Sequence, residues 1–218
     1  MIELIIKGGM SYLLGSVIGS LAVARLTGGV DIRTLGSGNA GATNALRTQG
    51  KKIGFAVLVI DVAKGWIATG VIAPWVLLPG VVPPTPAALA DWRLPVCGIA
   101  VMLGHVYPVW FGLRGGKGVA TLFGAVLGMN AWLVLPMILT WLVAVIAFGY
   151  VGLASILGAV SLSVAIALSC PSVPLLVFGI SATLLIVYTH RSNIARMRAG
   201  TESRARRLWL FGSRRGPA

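Results

Sequence analysis

Apolar residues run along this chain in long stretches separated by short segments that are glycine-rich and basic or rich in proline. The first stretch, residues 2–26, is long enough to span a bilayer, since about 20 residues cover about 30 Å of hydrocarbon. Its lysine, Lys7, is expected to snorkel toward the headgroups. A polar, glycine-dense segment, 27–52, leads to a second stretch, 53–78, which ends in a proline-rich turn at 79–86. A third, 94–111, runs into a basic glycine loop, 112–118, and from 119 to 189 the chain is almost continuously apolar. Asn130, Gly149 to Gly152, and Ser169 to Pro174 cut that region into four, of which 119–129 is too short to cross alone at about 1.5 Å per residue unless flanking residues join it or the bilayer thins.

Charge fixes the direction of these passes. Arg33, Arg47, Lys51 and Lys52 lie in the first polar segment, Arg114 and Lys117 in the glycine loop, and a run of arginines between Arg191 and Arg215, so all three segments read as cytoplasmic. The proline turn, followed by Asp91 and with Arg93 as its one cation, reads as external. Parity then requires an even number of passes between the glycine loop and the arginine-rich end. The fold predicted is an all-α polytopic membrane helix bundle with seven transmembrane helices, the N-terminus outside and the C-terminus cytoplasmic; five spans with re-entrant segments are the alternative. Residues 1–207 read as one transmembrane catalytic domain and 208–218 as a basic, solvated cytoplasmic tail. The first apolar run leads into polar sequence without a small-residue processing site, so it reads as a retained span.

Composition removes other classes. With 57% apolar and 11% charged residues and a mean hydropathy of +0.91, lipid is the natural solvent, and no room is left for a separate soluble domain. The formal charge of +13 would suit nucleic acid, but the cations sit between and after spans, which points to topology, anionic lipid and phosphate instead. No nucleic-acid partner is expected. Cys97 and Cys170 lack metal spacing and read as buried free thiols, with a bridge near the outer face left open.

Three clusters carry candidate chemistry. In 35–47, small residues let backbone amides approach an oxyanion while Ser37, Asn39, Thr43 and Asn44 add side-chain donors and Arg47 adds charge. A short helix over 39–47 would aim its N-terminal amides at the same anion. The competing reading is a flexible linker, and the density of hydroxyl, amide and guanidinium groups favours the cradle. In 112–121, Lys117 is framed by Gly115, Gly116 and Gly118 directly before a helix start, with Thr121 one turn on. This segment is no Walker A loop, because its spacing differs, and a plain positive-inside turn remains open. In 189–202, His190, Asn193 and Arg196 fall three apart on one face, and Glu202 is the single acid, equally suited to hold arginines or to act as a base.

Within the spans, Asp61 and Lys64 stand at helical spacing and should pair, as either a functional or a bracing element; His105 is a packing histidine or a substrate contact. The sequence offers no Gly-x-Ser-x-Gly elbow, no His-Glu-x-x-His, no carboxylate cluster for magnesium and no His-x-x-x-x-Asp acyltransferase signature. Any reaction would rely on cations, amides and orientation. No cofactor and no metal is expected.

Taken in order, Gly36-Ser37-Gly38-Asn39, Gly41-Ala42-Thr43-Asn44 with Arg47, Gly115-Gly116-Lys117-Gly118-Val119-Ala120-Thr121, and His190-Arg191 with Asn193, Ile194, Arg196, Gly200 and Glu202 resemble the bacterial acyl-phosphate-dependent glycerol-3-phosphate acyltransferases. Asp61 with Lys64-Gly65, and Gly104-His105, also fit; Ala40 and Met197 are mild departures. The resemblance implies a seven-helix enzyme of the bacterial cytoplasmic (inner) membrane. It would move a fatty acyl group from acyl phosphate to the 1-hydroxyl of glycerol 3-phosphate at the cytoplasmic face, releasing phosphate in the first acylation of phospholipid synthesis. Ser37, Arg47, Lys117, His190 and Asn193 are then the expected catalytic residues, and Gly38, Asn39, Thr43, Asn44, Gly115, Gly116, Gly118, Thr121, Arg196 and Glu202 the expected substrate contacts. The hydroxyl proton would go to a substrate phosphate or to His190. A small-molecule or anion transporter built on broken helices is the rival reading.

Overall fold

Each apolar stretch is helical in the computed structural model, which describes residues 1–77, 79–169, 172–205 and 209. Among the described residues the α-helices are α1 (Ile2–Gly15), α2 (Gly19–Thr27), α3 (Ala42–Thr48), α4 (Lys51–Ile67), α5 (Arg93–Val106), α6 (Val119–Met129), α7 (Val134–Phe148), α8 (Val151–Ser169), α9 (Val173–Thr189) and α10 (Arg191–Arg198), and no strand occurs. Among the described residues four runs, Lys51–Ile72, Ala87–Phe111, Ala131–Phe148 and Val151–Ser169, are long and apolar enough to cross a membrane by themselves. Two bent pairs, α1 with α2 at 52° and α9 with α10 at 54°, pass the same test when each is taken together. Helix α6, at 11 residues, stays short.

Glycine governs how these helices meet. Lipid offers no hydrophobic drive for helix association, so close backbone approach and dispersion must supply it. On α6, a Cβ at Gly124 would lie 1.9 Å from the Val62 carbonyl oxygen and one at Gly128 2.3 Å from Thr69 Oγ1; on α4, one at Gly65 would lie 2.2 Å from the Thr121 oxygen. Helices α1 and α5 touch in the same way, through Gly15 against Val101 and Gly104 against Tyr12. Larger side chains fill the space among α5 to α9, where Met102, Leu122, Leu162, Ile166, Phe178 and Ile186 are buried together.

The chain departs from the sequence expectations in three places. The stretch 2–26 is broken at Ser16 to Ile18 instead of forming one straight span. There the Gly15 and Val17 carbonyls accept from Lys64 Nζ at 3.0 and 2.7 Å. Lys7 does not snorkel: it is fully buried, paired with Glu3 at 2.8 Å and donating to the Ala73 carbonyl at 2.7 Å. Glu3 Oε2 in turn accepts from Thr85 Oγ1 at 2.7 Å, which pins the proline-rich turn to the start of α1. Buried charges persist in such a place only as pairs with their remaining hydrogen bonds made. Finally, Trp209, at the start of the expected tail, docks on the α7–α8 junction. Its indole Nε1 donates to the Ala147 carbonyl at 3.1 Å, and Arg204 stacks between Trp209 and Tyr150 at 4.0 and 4.7 Å from the ring centroids. Residues 208 and 210–218 lie outside the described residues, as does Cys170; Cys97 is a buried free thiol.

Candidate active site

The first glycine segment is shaped by one side chain. Asn44, on the first turn of α3, is buried, and its Oδ1 accepts from the Ser37 amide at 3.1 Å. Its Nδ2 donates to the carbonyls of Leu35 and Asn39 at 2.9 and 3.0 Å. Asn44, expected from the sequence among the substrate contacts, therefore has its amide taken up by the loop backbone. It curls the loop so that Ser37, Asn39 and Thr43 face a common space with Arg47, one turn further along α3. Gly36 is required for that curl, since its φ is +57° and a Cβ there would lie 2.4 Å from Asn44 Oδ1.

The second segment is held from both sides. The Gly115 and Gly116 amides donate to the carbonyls of Val106 and His105 at 3.2 and 3.1 Å, while Thr189 Oγ1 donates to the Lys117 carbonyl at 3.0 Å. Lys117 Nζ donates to Asn193 Oδ1. Asn193 Nδ2 donates to Glu202 Oε1 at 2.6 Å, and Arg196 Nε bonds Glu202 Oε2 at 2.6 Å. One chain of charge-assisted bonds thus joins the glycine loop, α10 and the segment beyond it. Glu202 is its hinge, accepting from both Asn193 and Arg196.

These groups line one cavity of about 1220 Å³. Its cations are Arg47, Lys51, Lys117 and Arg196, against the carboxylates Asp61 and Glu202, each of which is already paired with a cation. Away from this polar mouth, α4 and α6 supply Phe55, Leu58 and Phe123, and α7 and α8 supply Ile138, Trp141 and Ala159. The result is a cationic chamber continuing into an apolar channel between two helix pairs. Of the residues expected at the site, Ser37, Asn39, Thr43, Asn44, Arg47, Lys117, Gly118, His190, Asn193, Arg196 and Glu202 line this space. Gly38, Gly115, Gly116 and Thr121 lie outside the lining. Gly115 and Gly116 are packed on His105, and Thr121 is fully buried with no hydrogen-bond partner for its hydroxyl. Lys51 and the aromatic walls were not singled out by the sequence; Lys51 was indistinguishable from a topology cation, and an apolar residue in a lipid-soluble chain carries no mark.

Two charge states follow from the surroundings. His190, just beyond α9, is held down to about 4, by burial first and by Lys117 next. Its Nδ1 lies 2.8 Å from the Ile186 carbonyl; a carbonyl only accepts, so Nδ1 carries the proton and Nε2 keeps the lone pair. Lys117 is lowered to about 8, by burial first and then by Arg196. Its ammonium is present below that value and lost above it. Affinity for inorganic phosphate should consequently weaken as pH rises through about 8. Phosphate titrations between pH 7 and 9.5 check this, and a flat profile would contradict it.

The profile of a family described as glycerol-3-phosphate acyltransferase matches residues 5–200. The glycerol-3-phosphate acyltransferase of Aquifex aeolicus is 39% identical over 194 residues, spanning 89% of this chain and 95% of that protein. That of Paramagnetospirillum magneticum is 41% identical over 206 residues, 94% of each. Two crystal structures of PlsY, an integral membrane glycerol 3-phosphate acyltransferase, in its glycerol 3-phosphate and lysophosphatidic acid forms, each superpose with a TM-score of 0.81 at 37% and 36% identity. They cover 92% and 96% of this chain and 94% and 99% of their own.

Proposed function

Because this chain belongs to the glycerol-3-phosphate acyltransferase family, we propose that its cavity brings glycerol 3-phosphate together with an acyl phosphate and transfers the acyl group directly between them. The protein is an integral membrane acyltransferase, and its acceptor is glycerol 3-phosphate. The observation that carries the choice of donor is the join between a chamber lined by four cations and an apolar channel. Two anionic head groups need more than one cation, and a fatty tail needs the channel.

An acyl phosphate is already an activated mixed anhydride, so the protein has little nucleophile activation to supply. Arg47, Lys117 and Asn193 hold the phosphate of glycerol 3-phosphate, while Ser37, Asn39 and Thr43 hold the acyl-phosphate head. The 1-hydroxyl oxygen forms the new ester bond to the acyl carbon. The bond from that carbon to the phosphate oxygen breaks, and its electron pair leaves with phosphate. The side-chain donors of Ser37, Asn39 and Thr43, inside a cationic chamber, offset the charge that develops on the departing group. The hydroxyl proton goes to the departing phosphate, because a histidine near 4 is a weak acceptor at neutral pH. His190 helps to hold glycerol 3-phosphate, its Nε2 lone pair accepting from the 2-hydroxyl, which leaves the proton of the 1-hydroxyl free to point at the departing phosphate.

The chamber lies at the cytoplasmic face of the bacterial inner membrane, in a chain of seven spans with its N-terminus outside. The charge distribution along the sequence supports that orientation. Cysteines placed at Ser37, Lys117 and Asn193 should all be labelled from one side of a sealed vesicle, and labelling from opposite sides would overturn the arrangement.

The donor is tested with purified protein in detergent. Palmitoyl phosphate and glycerol 3-phosphate should give lysophosphatidate and inorganic phosphate in equal amounts, whereas palmitoyl-coenzyme A should give neither. Efficient use of the thioester would sink the reading. Ser37→Ala and Arg47→Ala should each lower turnover by about 100-fold or more. His190→Gln should retain activity within about tenfold, or about 1.4 kcal/mol, and a much larger loss would make His190 the base.

A further inference from the structure

Helix α1 stops at Gly15 and α2 starts at Gly19, with no proline between them to force the break. The facing ends of both helices are instead met by one ion pair from α4. Lys64 Nζ donates to the Gly15 and Val17 carbonyls at 3.0 and 2.7 Å and pairs with Asp61 Oδ1 at 3.0 Å. The Gly19 amide points to the same Asp61 oxygen at 3.4 Å. A fourth contact of the lysine extends the network, since Lys64 Nζ lies 2.8 Å from His105 Nδ1 near the end of α5. All three side chains are at most 3% exposed.

Each end of this network leads to one of the two anion-binding segments. On one side Ser20, in the first turn of α2, donates through Oγ to the Ala40 carbonyl at 2.8 Å, between the cavity-lining Asn39 and Gly41. On the other, the His105 carbonyl accepts from the Gly116 amide at 3.1 Å, next to Lys117. The imidazole itself is the wall against which Gly116 rests, because a Cβ there would lie 2.2 Å from Nε2. Burying an ion pair is costly, and apolar side chains of similar volume often hold helices together as well. What apolar packing lacks is direction: the trio fixes the angle at the helix break and the height of the glycine loop together.

We infer that Asp61, Lys64 and His105 form a positioning unit that sets the distance between the Ser37–Thr43 segment and Lys117, and with it the approach of hydroxyl to acyl carbon. The inference rests on the two head-group positions assigned above. These residues act through the loops they brace, so their loss should lower the rate of the chemical step with little change in the affinity for either substrate.

The test compares His105→Leu with His105→Asn, whose side-chain oxygen falls near the position of Nδ1 and can accept from Lys64. With purified protein in detergent, His105→Leu should lower kcat by about 100-fold while KM for glycerol 3-phosphate and for palmitoyl phosphate stays within about threefold and Tm within a few degrees. His105→Asn should recover most of that loss. A raised KM for glycerol 3-phosphate with kcat retained would make His105 a substrate contact and overturn the proposal, as would full activity of His105→Leu or absence of rescue by asparagine. Should His105→Leu fail to fold, Ser20→Ala tests the opposite end, where kcat should fall about tenfold at constant KM and an unchanged kcat would overturn it. Failure of the wild-type protein to use palmitoyl phosphate would strike the donor assignment alone, since the same variants can be compared with whichever donor supports turnover.

Discussion

Lys117→Met is expected to lower kcat/KM for acyl transfer by about 1,000-fold, the largest effect of any single cavity substitution, while leaving the fold intact. The side chain lies where the glycine loop, α9 and α10 converge, and its ammonium is bonded to Asn193 Oδ1. Removing it deletes a half-buried cation of the chamber and leaves the side chain of Asn193 bonded to Glu202 without its ammonium partner. A desolvated cation is worth more there than at a surface, because little water remains to screen it. The loop itself should persist, since its backbone is fixed by His105, Val106 and Thr189 rather than by the ammonium. Initial rates with palmitoyl phosphate, together with a thermal unfolding curve, check both halves. A loss under about tenfold would move the phosphate site elsewhere.

Gly124→Leu should instead destroy the fold. Helices α4 and α6 approach so closely that even the first side-chain carbon at Gly124 would sit 1.9 Å from the Val62 carbonyl, and Gly65 and Gly128 show the same contact along the interface. Neither backbone can retreat cheaply, because on its other side α6 buries its own Leu122 and Val126 in the core that also holds Met102, Met137 and Leu162. Overpacking of this kind costs about 3 kcal/mol or more, a large share of the stability of a marginally stable protein. Size-exclusion profiles in mild detergent should show aggregation at the expression stage. By contrast Gly9→Leu, where a Cβ meets nothing within 4 Å, should behave as wild type. A monodisperse, active Gly124→Leu protein would contradict the close contact.

The polar site was legible for a physical reason. In a chain built for lipid, polar and charged residues are scarce, so Ser37, Arg47, Lys117, His190 and Asn193 stood out against an apolar background, and parity put their segments on one side. The structure gathers all five around one cavity. Less legible were features whose cause lies far along the chain. The break between α1 and α2 depends on Lys64, nearly 50 residues away. Lys7 is buried because Glu3 pairs with it and Thr85 braces that glutamate. Asn44 had the composition of a ligand contact, and its scaffolding bonds to Ser37, Leu35 and Asn39 appear only once the loop is folded. The apolar channel left no trace in the pattern, because Phe123 and Trp141 differ in no local way from residues that face lipid.

The proposed direct transfer between two head groups seated together has a kinetic consequence. With both substrates varied, initial rates of lysophosphatidate formation should give intersecting double-reciprocal lines, the signature of a ternary complex, and no acylated protein should accumulate when palmitoyl phosphate is supplied alone. Parallel lines, or a stoichiometric burst of phosphate release without glycerol 3-phosphate, would mean that the acyl group passes through the protein and would contradict direct transfer within the cavity.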